Sequence, residues 1–128
     1  MIMHERSHTD HITIINETLY MIQKELKEIE MAVFVNKPRP EHLSLADKLC
    51  FSIKNFFRLI ESYNQPSNDN NGAQATKRSH QAFIDEIKQY LELYRQGRNH
   101  LSTQKLSSWE QQLVVFYQTH LELLRSRR

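Results

Sequence analysis

The chain is poor in the residues that form cross-links and tight turns. Cys50 is the only cysteine among 128 residues, so no intrachain disulfide can form. Two glycines and three prolines are typical of a helical protein with few turns. A single thiol fits a reducing compartment, and we predict a cytoplasmic protein.

Long apolar runs and a large net charge are also missing. No apolar run approaches the roughly 18 residues of a membrane span, and residues 1–10 are too polar for a secretory signal. We therefore expect no membrane partner. A formal net charge of +2 is too small to favour nucleic acid as a partner.

The feature that is abundant is a seven-residue apolar repeat. Apolar residues alternate steps of three and four, which keeps one side of an α-helix apolar over many turns. The four stripes are Ile12, Ile15, Leu19, Ile22, Leu26, Ile29 and Val33; Ala46, Leu49, Ile53, Phe56, Ile60 and Tyr63; Phe83, Ile87, Tyr90 and Tyr94; and Leu106, Trp109, Leu113, Phe116, His120 and Leu123. They predict an all-α fold, an antiparallel up-down-up-down four-helix bundle.

Turn-forming residues set the expected ends of the helices. Pro38 and Pro40 break the first helix, Gly97 ends the third, and Ser102 or Thr103 caps the fourth. We expect one helical-bundle domain over residues 1–128, with helices at about 8–35, 41–63, 76–96 and 103–124. Residues 64–75 are rich in Asn, Gly, Ser and Pro and are interpreted as a mobile loop.

Histidines continue the apolar stripes toward one end of this bundle. His120 belongs to the fourth stripe, and His80 lies one step before the third. In antiparallel helices, two residues equally distant in sequence from a connection lie at the same height along the bundle axis. This comparison of heights places Glu61, His80 and His120 at one level. Two imidazoles and one carboxylate inside a bundle suit an iron, zinc or manganese site.

The first helix offers two candidates for a fourth ligand. His8 continues the stripe but lies about 10 Å too far out at the helical rise, whereas His11 is nearer in height but leaves the stripe. Alternatively, each histidine is a neutral core residue with one ring nitrogen bonded to a neighbour. His42 is expected at the opposite end and His100 in a turn, so neither can join the site.

Around these histidines the chain resembles the bacterial hemerythrins. Residues 8–20 are similar to the first helix of that family, in which a histidine precedes a Leu/Ile-rich stretch, then Asn and Leu-Tyr. Residues 76–83 keep the second histidine and the phenylalanine of its His-x-x-x-His-x-x-Phe motif. Residues 57–62 keep one glutamate of His-Phe-x-x-Glu-Glu, and residues 116–125 keep the histidine of the fourth helix.

This family is a four-helix bundle that holds two irons with five histidines and two bridging carboxylates and binds oxygen reversibly. Phe57, Thr76 and Arg125 stand at three of its ligand positions. The resemblance therefore implies a reduced His/Glu site, with iron in a single or incomplete centre. The residues that match ligand positions are His8, Glu61, His80 and His120.

Two functions remain open at this point. The first is a hemerythrin-like bundle whose reduced metal site serves oxygen, redox or metal sensing. The second is a metal-free adaptor, chaperone or regulator that binds another protein or a second copy of itself. Its contact surface would consist of apolar residues off the stripes, such as Leu45, Leu59, Val114 and Val115.

An enzyme is not expected. Arg95 and His100 have the Arg-x4-His spacing of a family of helical ribonucleases, but Gly97 between them indicates a helix end. No paired carboxylates, Cys/His arrangement or phosphate-binding loop supports other chemistry. We therefore expect no catalytic residues and no organic cofactor.

Overall fold

The computed structural model describes the backbone of residues 2–64 and 70–126 and the side chains of residues 9–63 and 72–126. Its elements are the four α-helices α1 (Ile2–Phe34), α2 (Arg39–Asn64), α3 (Asn70–Arg95) and α4 (Thr103–Ser126). Helix α1 packs against α2 and α4, and α2 packs against α3. The predicted all-α four-helix bundle is confirmed. None of these helices, as described, has the length and hydropathy needed to cross a membrane.

The buried faces of the helices follow the predicted stripes. Trp109 and Phe56 are fully buried, and each apolar side chain of this size contributes about 1.5–3 kcal/mol by transfer from water. The fourth stripe shifts at its end, because Leu124 is 2% exposed whereas Leu123 is 39% exposed. Leu124 follows His120 by four residues, and residues four apart share a helix face.

Two predicted helix starts were wrong. Helix α1 begins at Ile2 rather than near residue 8, and α3 begins at Asn70 rather than near residue 76. The predicted loop at 64–75 is therefore helical at residue 64 and at 70–75, and residues 65–69 lie outside the described part. Ala73, Gln74 and Ala75 are good helix formers, and they outweigh Asn70, Asn71 and Gly72, which belong to the composition that suggested a loop.

The predicted helix ends around the third connection are confirmed. Gly97 adopts a φ of 75°, and the amide of Arg98 donates to the Leu93 carbonyl at 2.8 Å, which is the Schellman pattern. The hydroxyl of Ser102 accepts a hydrogen bond from the amide of Lys105 at 3.1 Å. Ser102 is therefore the N-cap of α4.

Candidate functional site

Three buried histidines lie toward the end of the bundle where α1 and α3 begin. His11, His80 and His120 expose 9%, 3% and 2% of their surfaces. A buried imidazole without a hydrogen-bond partner is costly, so the partners of these rings determine what the site can do. The structure arranges them in two pairs.

The first pair joins α2 to α3. Nδ1 of His80 lies 2.7 Å from Oε2 of Glu61, and the Glu61 side chain is one quarter exposed. Burial lowers the pKa of His80 below its usual 6.5, and the hydrogen bond and charge of Glu61 oppose this shift. A neutral His80 can donate its Nδ1 proton to the carboxylate. The contact expected from the comparison of heights is therefore made.

Aromatic rings enclose this pair on its inner side. The Phe57 ring stacks on His80 with centroids 4.0 Å apart and planes 7° apart. Phe116 meets His80 edge-on at 5.2 Å and Phe57 at 5.1 Å. Hydrocarbon thus covers a face of the imidazole, which explains why its charged form is disfavoured. Phe57 occupies a position at which the hemerythrin resemblance has a ligand.

The second pair joins α1 to α4. Nε2 of His11 lies 2.8 Å from Nε2 of His120, and the two rings are nearly perpendicular at 79°. Tyr63 of α2 stacks on His11 with centroids 3.8 Å apart. In the neutral state one Nε2 carries the proton and the other accepts it. The two nitrogens therefore share one proton.

The structure thus divides the predicted ligands. Glu61 contacts His80, whereas His120 contacts His11. His11 does not belong to the predicted apolar stripe. No group of three His, Cys, Asp or Glu side chains that could hold a metal occurs among residues 9–63 and 72–126. The side chain of His8 lies outside the described residues.

The burial of His11 has a sequence signal. His11 precedes Ile15 by four residues, and residues four apart lie on one face of a helix. Ile12, which the strict repeat placed in the core, is only half-buried. The apolar face therefore extends outward through His11.

The other two histidines whose side chains are described lie elsewhere. His42 is buried at the opposite end, where its Nε2–H donates to the Ala32 carbonyl at 3.1 Å and its Nδ1 lies 2.7 Å from the Tyr94 hydroxyl. His100 is exposed after α3. Neither contributes to the two pairs, as expected.

The lowered pKa of His80 predicts a pH-dependent stability. His80 has a pKa near 6.5 in the unfolded chain and a lower pKa in the folded protein. The unfolded state therefore binds more protons as pH falls, and this favours unfolding. The free energy of unfolding is expected to decrease from pH 7.5 to pH 5.5, by less in His80→Phe than in wild type. Urea unfolding at both pH values measures this difference.

His100→Ala is the matched control, because this exposed histidine should leave the pH slope unchanged. An unchanged slope in His80→Phe would contradict the assignment of the proton to His80.

Comparison with known proteins gives no assignment. No family model matches the chain, and neither a curated protein nor a solved structure does so. The resemblance to hemerythrins therefore stays a prediction that depends on the residues quoted for it.

Proposed function

We propose that this protein binds a single transition-metal ion, iron in the first instance, at the histidine-bearing end of the bundle. The supporting observation is the approach of Nε2 of His11 to Nε2 of His120 at 2.8 Å. Two imidazoles that bind one ion at about 2.0–2.1 Å have nitrogens about 2.9 Å apart at a right angle and about 3.4 Å apart at the tetrahedral angle. The observed separation fits two adjacent ligands.

His8 is the proposed third ligand, and His80 would have to move from its observed position to become a further one. His8 precedes His11 by three residues on α1, a spacing that places two side chains on one helix face. His80 holds its Nδ1 against Glu61, and a carboxylate at one ring nitrogen is the usual device that orients a metal-binding histidine through the other. Glu61 would then act as a positioning residue.

The proposed role is oxygen, redox or metal sensing. When bound, iron supplies a redox centre or a Lewis acid. His11 comes from α1, His120 from α4, and the Tyr63 ring that covers His11 from α2. A bound ion would therefore stabilise the packing of α1, α2 and α4 at one end of the bundle. The departures from the hemerythrin pattern argue against reversible oxygen carriage by a di-iron centre.

Metal titration of protein without a histidine tag tests this proposal. Chelator-treated protein is titrated with Co²⁺ and Zn²⁺, followed by calorimetry and by the visible absorption of cobalt. We expect one ion per chain, with affinity reduced on the order of 10–100-fold or more in His11→Ala and in His120→Ala. His100→Ala is the matched control and should bind as wild type does.

The remaining variants decide the ligand set. Weakened binding in His8→Ala or His80→Ala assigns that residue as a further ligand. The proposal fails if wild type binds neither ion, or if the double variant of His11 and His120 binds as wild type does.

A second candidate function is binding to another protein without metal. Phe34 and Met31 of α1 are 80% and 60% exposed, which is unusual for large apolar side chains. Of the four residues suggested by sequence, Val115 is 58% exposed, and the others pack partly buried against the core; these are Leu45, Leu59 and Val114. This candidate replaces the metal proposal if the titration finds no binding.

A further inference from the structure

A groove between α2 and α3 carries an excess of positive charge. Its volume is about 480 Å³, and Lys54 and Arg58 from α2 face Lys77 and Arg78 from α3 along it. Among the described residues that line the groove, the single carboxylate is Glu61, which is already bonded to His80.

None of these four cations is paired with a carboxylate in the described part of the chain. The ion pairs found there are His80 with Glu61 and Arg95 with Glu92. The groove therefore brings together four cationic side chains from two helices against the one carboxylate of Glu61. Such a concentration attracts anions and lowers the cost of bringing them to the surface.

Lys54 is repelled mainly by Lys88, which does not line this groove, and least by Arg58, which does. A side-chain hydrogen bond with Lys88 and the charge of Lys88 lower the pKa of Lys54, and the charge of Arg58 lowers it further. The Cys50 thiol opposes the shift. A bound anion would relieve this repulsion and favour the protonated form of Lys54.

The neighbouring groove along the same two helices behaves differently. It shares Lys54 and includes Lys88 and Arg95, but Asp47 and Glu92 also line it. Its charges are therefore largely balanced. Of these two grooves, the one lined by Arg58 and Lys77 has the larger excess of positive charge.

We propose that this groove binds a small molecule that carries a di- or polyphosphate group. Arginine binds phosphate oxygens through two parallel hydrogen bonds, and lysine adds a point charge. The volume lies within the roughly 300–1,000 Å³ of small-molecule sites. Phe57 and Ile84 provide an apolar floor, which suits a ligand with an apolar portion beside its phosphates, as in a nucleotide.

Calorimetric titration with pyrophosphate and with ADP tests the proposal. It uses chelator-treated protein, so its outcome does not depend on the proposed metal site. We expect one molecule per chain, tighter binding of ADP than of pyrophosphate, and weaker binding of both as salt is raised. Affinity should decrease about 10-fold or more in the double variant Arg58→Gln/Lys77→Gln.

The matched control is the double variant Lys24→Gln/Lys48→Gln. Both lysines are exposed and lie outside the groove, and the variant loses the same formal charge. It should bind within a few-fold of wild type. The proposal is overturned if the two double variants lose affinity equally or if no saturable binding is found. It is also overturned if an oligonucleotide binds more tightly than ADP.

Proton uptake provides an independent readout of position. Because the pKa of Lys54 is lowered, an anion that lies beside it should cause proton uptake on binding at alkaline pH, as measured by calorimetry in buffers with different ionisation enthalpies. Lys88→Ala removes the main cause of the lowered pKa and keeps the four cations of the groove. Uptake should therefore decrease in Lys88→Ala, and equal uptake in both proteins would place the anion elsewhere.

Discussion

Phe57→Ala is expected to lower the free energy of unfolding by about 3–5 kcal/mol. The Phe57 side chain is 2% exposed, and its ring contacts His80, Phe56, Phe83 and Phe116 at centroid distances of 4.0–6.0 Å. Truncation removes this packing and leaves a cavity between α2, α3 and α4. Urea unfolding at neutral pH measures the loss.

The same substitution should change the titration of His80. Burial is the largest cause of the lowered pKa of His80, and Phe57 covers one face of the ring. Water that enters the space left by the phenyl group would stabilise the charged imidazole. The pKa of His80 should therefore rise in Phe57→Ala, and an NMR titration of its ring protons records the shift.

Two further variants make this prediction specific. Phe57→Leu should lose less stability and shift the pKa of His80 less, because the side chain still fills part of the space. Phe51→Ala should have almost no effect, because Phe51 is 73% exposed. A stable Phe57→Ala protein with an unchanged titration of His80 would show that Phe57 does not shield the imidazole.

The sequence predicted the fold well because helices and their ends depend on local patterns. Stripes of alternating three- and four-residue spacing select one face, and Gly97 and Ser102 act within one turn of their own positions. The start of α3 was harder to predict. Composition suggested a loop at 70–75, whereas three consecutive helix formers extend the helix through it.

The candidate site was predicted only in part. The contact of Glu61 with His80 followed from topology, since antiparallel neighbours place residues equally distant from a connection at one height. The partner of His120 did not follow, because a strict heptad favours His8 over His11. The buried face of α1 instead includes His11, which precedes the buried Ile15 by four residues. Whether a histidine near the end of a bundle turns its ring inward depends on tertiary packing, and the ring of His11 stacks on Tyr63.

His42→Ala is expected to lower the free energy of unfolding by about 2–4 kcal/mol. His42 is 6% exposed and joins Tyr94 and the Ala32 carbonyl. That carbonyl keeps a second hydrogen bond, from the amide of Lys37 at 2.9 Å. The larger loss therefore falls on the buried Tyr94 hydroxyl, which is left without a partner.

A double-mutant cycle separates this loss from the lost volume. Tyr94→Phe alone should be destabilising, but in the His42→Ala background it removes a hydroxyl that no longer has a partner. The two substitutions should therefore be less than additive, with a coupling of about 0.5–3 kcal/mol. Additive effects in chemical denaturation would contradict the hydrogen bond.

The position of His42 also makes this variant a test of where the ligands bind. His42 contacts the end of α1, whereas His11 and His120 lie at the other end of the bundle and the basic groove lies between α2 and α3. Folded His42→Ala protein should therefore bind Co²⁺ and pyrophosphate with the affinity of wild type. Loss of cobalt binding in His42→Ala, with retention in His11→Ala, would place the metal at the opposite end, because an ion held there would need the imidazole that now bonds Tyr94.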